Sequence, residues 1–248
     1  MEFTPLLIAA IGVVFLLAGT IKGTVGIGLP AASVGMMALF LPPKVAITLV
    51  VVPIVIVNVW QYWTAGDRIG ALRRYWLFIA AMLPTLFVMT FVTAQVDGRT
   101  IALVLGLVVV AFAATNLFFS PPALPMRFDR PAQVLGGFGA GVFGGLTSVW
   151  APPIMIYMLA RRVEKDEFVR GCGVVFAAGS VPLFLGFVWN GLLQGSTALV
   201  STAMVVPALV GFAVGARLRQ HIDSDRFRTI VLVLFLLIGV NLLRRALF

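Results

Sequence analysis

Charge is scarce in this chain. Of its 248 residues, 11% are Asp, Glu, Lys or Arg and 61% are hydrophobic, against roughly 25% and 45–50% in soluble domains. So few charges cannot clothe a water-facing exterior. With a mean hydropathy of +1.09, most of the outer surface must meet lipid, and the chain reads as a polytopic membrane protein. Cysteine is almost absent as well. Cys172 alone excludes an intrachain disulfide, a Cys-rich metal site and a redox pair, and it reads as a small apolar packing residue. The nine carboxylates, Glu2, Asp67, Asp97, Asp129, Glu164, Asp166, Glu167, Asp223 and Asp225, fall at a terminus or in loops, as does the one histidine, His221. Proton and cation carriers commonly keep an acid within the membrane, so a cationic substrate is disfavoured and an anion or small neutral molecule is favoured. No Walker sequence is present, and no nucleophile and base pair or metal-ligand cluster lies inside the apolar runs, which disfavours an intramembrane enzyme. No catalytic residue, metal ligand or cofactor is therefore assigned. The opening Met1-Glu2-Phe3 lacks the cationic start of a secretory signal, so the first segment is expected to remain.

What is present is a series of apolar runs, each to be judged against the about 20 residues that a membrane-crossing helix needs. The spans 45–63, 75–96, 100–119, 168–189, 196–216 and 227–247 pass this test. Two further regions, 3–41 and 132–160, each hold a long apolar piece, a Gly- and Pro-rich interruption and a shorter apolar piece, the pattern of a hairpin of broken helices. The interruptions match each other: Gly19 to Pro30 aligns without gaps on Gly141 to Pro152, pairing Gly19 with Gly141, Gly23 with Gly145 and Pro30 with Pro152. Pro53 and Trp60 pair with Pro182 and Trp189 once a longer charged loop is allowed in the second half. The expected fold is thus an all-α membrane protein of two repeats, each a broken-helix hairpin plus three transmembrane helices. The repeats are 1–119 and 132–248, joined by a linker over 120–131. Gly139 to Gly144 fits a dinucleotide G-x-G-x-x-G pattern, but no strand precedes it. Gly137, Gly141 and Gly145 read better as a close helix-packing face.

Orientation follows from the basic residues. If each hairpin returns to its starting side, thirteen Lys or Arg, among them Arg68, Arg73, Arg74, Arg127, Arg130, Arg161, Arg162 and Arg170, gather on one side, against Lys44, Arg99, Arg244 and Arg245 on the other. This asymmetry predicts a cytoplasmic linker, both termini outside the cytoplasm, and repeats of inverted topology. The net charge of +9 is explained by these loops, so no nucleic acid is expected as a partner.

An unwound segment at membrane depth is tolerated only where protein or a water-filled cavity surrounds it, so the paired interruptions mark the candidate site. Helix N-termini restarting near Pro30 and Pro152 would face an anion with their free N–H groups. Lys22 is the one charge in either interruption, and a cation at bilayer depth needs a task or a partner; Gly144 stands at its place in the second copy. The candidate substrate-binding set is Lys22, Gly23, Thr24, Gly26, Gly28, Asn58, Gln61, Thr147, Ser148 and Trp150, with Thr20, Asn116, Ser180 and Asn190 as further polar residues of the spans. Asn58 and Gln61, nearly one turn apart, can share a face toward a path or bond between helices. Trp60, Trp63 and Trp189 read as interfacial anchors.

The duplicated Gly-rich interruption ending in Pro ahead of a long span, with a charged central loop, resembles the sulfite exporter TauE/SafE family of membrane permeases over nearly the whole chain. Gly23, Gly26, Gly28 and Pro30 carry the first copy of the pattern, and the second departs from it at Trp150. The resemblance implies transport of a small sulfur-containing anion, sulfite or an organosulfonate, across a bacterial inner membrane, here by alternating access. An anion channel of the same fold, or a carrier of another small carboxylate or a neutral molecule, is the alternative. Expected partners are the anion and membrane lipid, with a homodimer left open.

Overall fold

The computed structural model describes residues 3–64, 66–118, 122–218 and 224–247. His221, Arg219 and Asp223 of an expected loop, and the side chains of Asn116, Lys165, Arg226, Arg228 and Arg245, lie outside the described set. Among the described residues thirteen α-helices follow one another: α1 (Pro5–Val25), α2 (Leu29–Met37), α3 (Pro43–Leu49), α4 (Val51–Thr64), α5 (Arg68–Arg74), α6 (Trp76–Gln95), α7 (Gly98–Phe118), α8 (Asp129–Thr147), α9 (Ala151–Ala160), α10 (Lys165–Trp189), α11 (Gly195–Ala203), α12 (Val205–Leu218) and α13 (Ser224–Leu247). A single 3-10 turn, Met126–Phe128, precedes α8, and no strand occurs among the described residues.

Among the described residues six helical stretches are long and apolar enough to cross a membrane: Pro5–Val25, Pro43–Thr64, Trp76–Gln95, Gly98–Thr115, Glu167–Trp189 and Gly195–Leu218. Their outer faces are those of a lipid-embedded protein, with Leu6 exposed at 82%, Leu135 at 72% and Leu199 at 74%. Prolines set the bends. Pro53 has no N–H to return to Leu49, so α3 and α4 part at Val50. The freed Leu49 carbonyl instead accepts from Ser201 Oγ at 2.8 Å. Pro207 stands in the same relation to the joint between α11 and α12.

The helix interruptions are shorter than the Gly19–Pro30 and Gly141–Pro152 stretches predict, which corrects the sequence reading. Helix α1 continues through Lys22, Gly23 and Thr24, because the Gly26 N–H still reaches the Lys22 carbonyl at 2.7 Å, and winding stops only at Gly26 to Gly28. In the second hairpin α8 runs to Thr147, and only Ser148 to Trp150 are unwound. The glycines upstream of each interruption serve packing instead. A Cβ at Gly19 would lie 2.3 Å from the Ala208 carbonyl oxygen, and one at Gly23 2.2 Å from that of Phe212, so α1 presses against the backbone of α12. Helix α8 presses likewise on α6, where a Cβ at Gly137 would lie 2.2 Å from the Phe78 carbonyl oxygen and one at Gly145 2.6 Å from that of Leu86. This is the close packing face expected of Gly137, Gly141 and Gly145. Helices α4 and α10 cross in the centre, and α7 pairs with α13.

Candidate functional site

The last turn of α1, the middle of α4 and the middle of α10 meet in the protein interior. Lys22 is 1% exposed, and its ammonium donates to Asn58 Oδ1 at 2.5 Å while lying 5.2 Å from the centre of the Phe176 ring. The Asn58 amide is held from its other side, with Nδ2 donating to Ser180 Oγ at 2.9 Å and to the Phe176 carbonyl at 3.3 Å. Ser180 in turn donates to that same carbonyl, one helical turn back, at 2.7 Å. These bonds leave the amide one orientation, oxygen toward the lysine. Gln61, one turn along α4, donates to the Gly26 carbonyl at 3.3 Å, and its buried Oε1 has no hydrogen-bond partner.

The two interruptions close the site. Gly26 ends α1 at φ 86° and Gly28 starts α2 at φ 101°, both in the left-handed region that glycine enters without a steric penalty. Ser148 ends α8 at φ 60°, and Trp150 starts α9 at φ −117°. Lys22, Gly28, Pro30, Asn58, Trp150, Ala151 and Phe176 line a small cavity with about the room of one water. The N-termini of α2 and α9 border it, so the positive dipole ends of two helices accompany the ammonium, with Leu29 and Ala31 in α2 and Ala151 in α9 carrying the first-turn N–H groups beside the prolines.

Four of the sequence candidates, Lys22, Gly28, Asn58 and Trp150, thus come together on one cavity, and Gly26 and Gln61 are bonded to each other beside it. The others do local work. Gly23 faces α12, and Thr24 donates to the Thr20 and Ile21 carbonyls of its own helix. Thr147 donates to the Phe143 carbonyl and accepts from Val149 N, while Ser148 Oγ donates to the Ile47 carbonyl at 3.3 Å. Thr20 and Asn190 also bond within their own helices, Asn190 reaching Thr90 Oγ1 in addition.

Among the described residues no carboxylate is paired with Lys22, and both ion pairs are on Asp129. A cavity of positive potential whose one formal charge meets only a neutral amide is suited to an anion. The sulfite exporter TauE/SafE family model matches residues 11–242. The chain belongs to that family. Membership implies a multi-pass membrane transporter of sulfur anions, from a family of transporters rather than enzymes. Comparison with curated proteins and with solved structures finds no match.

In this TauE/SafE-family chain, sequence reading missed Phe176 as a wall of the cavity and left Ser180 unassigned. The retrievable signal was their spacing: residues four apart on α10 share a face. It also treated Asp129 as an ordinary loop acid. The carboxylate is instead buried, accepting from Arg74 Nη1 at 2.8 Å, Tyr157 Oη at 2.8 Å and Gln133 Nε2 at 3.0 Å. Arg161 Nε lies 2.9 Å away without the alignment of a hydrogen bond. The Arg74 guanidinium bonded to it holds this carboxyl at about 2, below the usual carboxylate range. Arg161 also donates to the Leu124 carbonyl at 2.8 Å, tying the segment before α8 into the cluster. Elsewhere Lys44 donates to the Ala94 carbonyl at 2.9 Å, and Arg99 to that of Ala246 at 2.6 Å.

Proposed function

We propose that this chain moves a small sulfur oxyanion across the bacterial inner membrane by alternating access between two inverted repeats, with Lys22 as the charge that receives the anion. The observation that carries this is the Lys22 ammonium, 1% exposed and hydrogen-bonded to an uncharged amide oxygen. A buried cation without a counter-charge is strongly disfavoured, and an arriving anion supplies one. The α2 and α9 N-termini add donors from opposite halves of the chain, so that both repeats grip one solute. Asn58, anchored on α10, holds the lysine between α1 and the second half when no anion is bound.

The packing supports the repeats. Exchanging the halves carries the α1 and α12 contact onto that of α8 with α6, and carries the α4–α10 and α7–α13 pairs onto themselves. The expected topology is supported by the two polar ends, where Arg74 and Arg161 meet at Asp129 and Arg161 also binds the linker carbonyl of Leu124, and Lys44 and Arg99 bind the ends of α6 and α13.

The test is exchange of radiolabelled sulfite in liposomes holding the purified chain. The expected result is saturable flux, accelerated by sulfite on the far side, and falling on the order of tenfold to a hundredfold in folded Lys22→Ala, the range for losing a charge-assisted hydrogen bond. Undiminished flux in that variant would overturn the assignment of Lys22, and flux without acceleration from the far side would make the protein a channel.

A further inference from the structure

Trp150 is the bulkiest side chain on the cavity, and it is 2% exposed. Its ring lies edge-on to Phe176, with centroids 6.2 Å apart and planes at 80°. The helices around it leave out side chains to make room. At Gly144 of α8 a Cβ would come within 3.0 Å of Trp150 Cβ, and at Gly179 of α10 within 3.3 Å of the indole nitrogen. That nitrogen is buried and has no hydrogen-bond partner, a condition that disfavours the folded state unless a ligand relieves it. It lies on the α10 wall one turn from Phe176, which itself lines the cavity. Gly28, the residue that the ungapped alignment pairs with Trp150, also lines the cavity and presents bare backbone at φ 101°. One side of the space is thus open main chain, and the other is filled by an indole.

We propose that Trp150 is the specificity-determining residue of this transporter: its ring sets a size limit that admits a compact oxyanion and excludes sulfonates carrying an organic chain, and its indole N–H is the donor that recognises an oxyanion oxygen. The inference rests on the anion-transport reading of the same cavity. It divides the labour between charge, supplied by Lys22 from the first repeat, and shape, supplied by Trp150 from the second. An alkyl tail on this side of the cavity has to displace the ring, which packs against Gly144, Gly179 and Phe176.

The experiment is exchange by the reconstituted full chain of sulfite and of straight-chain alkanesulfonates of one to four carbons, for wild type, Trp150→Phe and Trp150→Ala. Wild type is expected to exchange sulfite and to lose activity as the chain lengthens. Trp150→Ala raises the ratio of butanesulfonate to sulfite flux at least about tenfold, and Trp150→Phe keeps the chain-length limit but raises the half-saturating sulfite concentration about tenfold, as expected for one lost hydrogen bond to an anion. Should Trp150→Ala fail to purify as a folded species, Trp150→Leu carries the same comparison. Identical chain-length profiles in wild type and the smaller variants overturn the size limit, and unchanged sulfite saturation in Trp150→Phe overturns the donor role. Sulfite exchange by wild type that Lys22→Ala abolishes, with both Trp150 results negative, refutes the Trp150 proposal alone. A folded wild type that exchanges no anion refutes the transport reading and the Trp150 proposal with it.

Discussion

The first interruption follows one turn after a charge, Lys22, and is framed by glycines; the second has no charge upstream and carries the bulk of Trp150. Both let a long helix stop and a short one restart after three unwound residues, but the backbone differs in a way that dictates the side chains. Gly26 and Gly28 both hold left-handed φ values, which close that stretch to any side chain without strain, whereas Trp150 starts α9 at φ −117°, open to any residue. The position one turn upstream then follows. Lys22 lines the same cavity as Gly28, while Gly144, which the alignment pairs with Lys22, lies against Trp150, where a Cβ would be 3.0 Å from the indole-bearing carbon.

This comparison is broken or sharpened by substitution. The largest effect is expected where the two halves are alike. Gly23→Ala on the α1–α12 seam and Gly137→Ala on the α8–α6 seam each push a methyl into a backbone carbonyl 2.2 Å away. Each should lower stability by about 3 kcal/mol, at the upper end for overpacking. Gly12→Ala, with nothing within 4 Å of the new carbon, should be neutral or slightly stabilising. Thermal unfolding in detergent reads all three, and a strong asymmetry between the two seams would argue against equivalent repeats.

Next come the interruptions themselves. Gly28→Ala forces a left-handed φ of 101° on a residue with a Cβ, a penalty of roughly 1–2 kcal/mol. Ser148→Gly relieves a φ of 60° but loses the bond to Ile47, so the same unfolding assay should show near cancellation. A smaller effect concerns exclusion between Gly144 and Trp150. Gly144→Ala should destabilise wild type more than it destabilises Trp150→Gly, which lacks the Cβ that the new methyl meets at 3.0 Å, with a coupling of about 1 kcal/mol in a double-mutant cycle. Additive effects would separate the two positions.

The smallest effect lies away from the interruptions, at Asp129. Its carboxyl sits at about 2, below its ordinary 3.8, so its contribution to stability is complete above the unfolded-state value and is lost as pH falls through the folded one. Stability measured from pH about 5 to about 2 should therefore fall in wild type and fall less in Asp129→Asn, which lacks the titrating group. Parallel curves would show that the cluster with Arg74 and Arg161 contributes nothing pH-dependent.

Much of the helical layout was legible beforehand because lipid leaves so few choices. Each run of about 20 apolar residues must wind into a helix to satisfy its own backbone, and α6, α7 and α10 stand where the runs do. The site was legible in part. Lys22 and Asn58 draw notice as a charge and an amide in apolar runs, but that they would bond to each other, 36 positions apart, is a matter of how α1 crosses α4. Thr24 and Thr147 looked equally polar and turned inward to their own helices' carbonyls, a choice made by rotamer and helix phase. The interruptions were overestimated because glycine has two uses. At Gly26 and Gly28 it permits a left-handed backbone, and at Gly19 and Gly23 it permits close packing of an unbroken helix.

From composition and periodicity alone, the chain was bound to be a bundle of lipid-facing helices with acid kept out of the apolar runs, since water-to-lipid transfer penalises every charge left in the interior. Which polar groups would share one enclosed space was decided only by tertiary packing. The cavity's walls come from α1, α2, α4, α9 and α10, and the positions of Lys22, Asn58, Trp150 and Phe176 relative to one another depend on the glycine seams that let these helices approach closely. No local run of residues carries that information, because side-chain contact across helices depends on the angle and distance between whole helices.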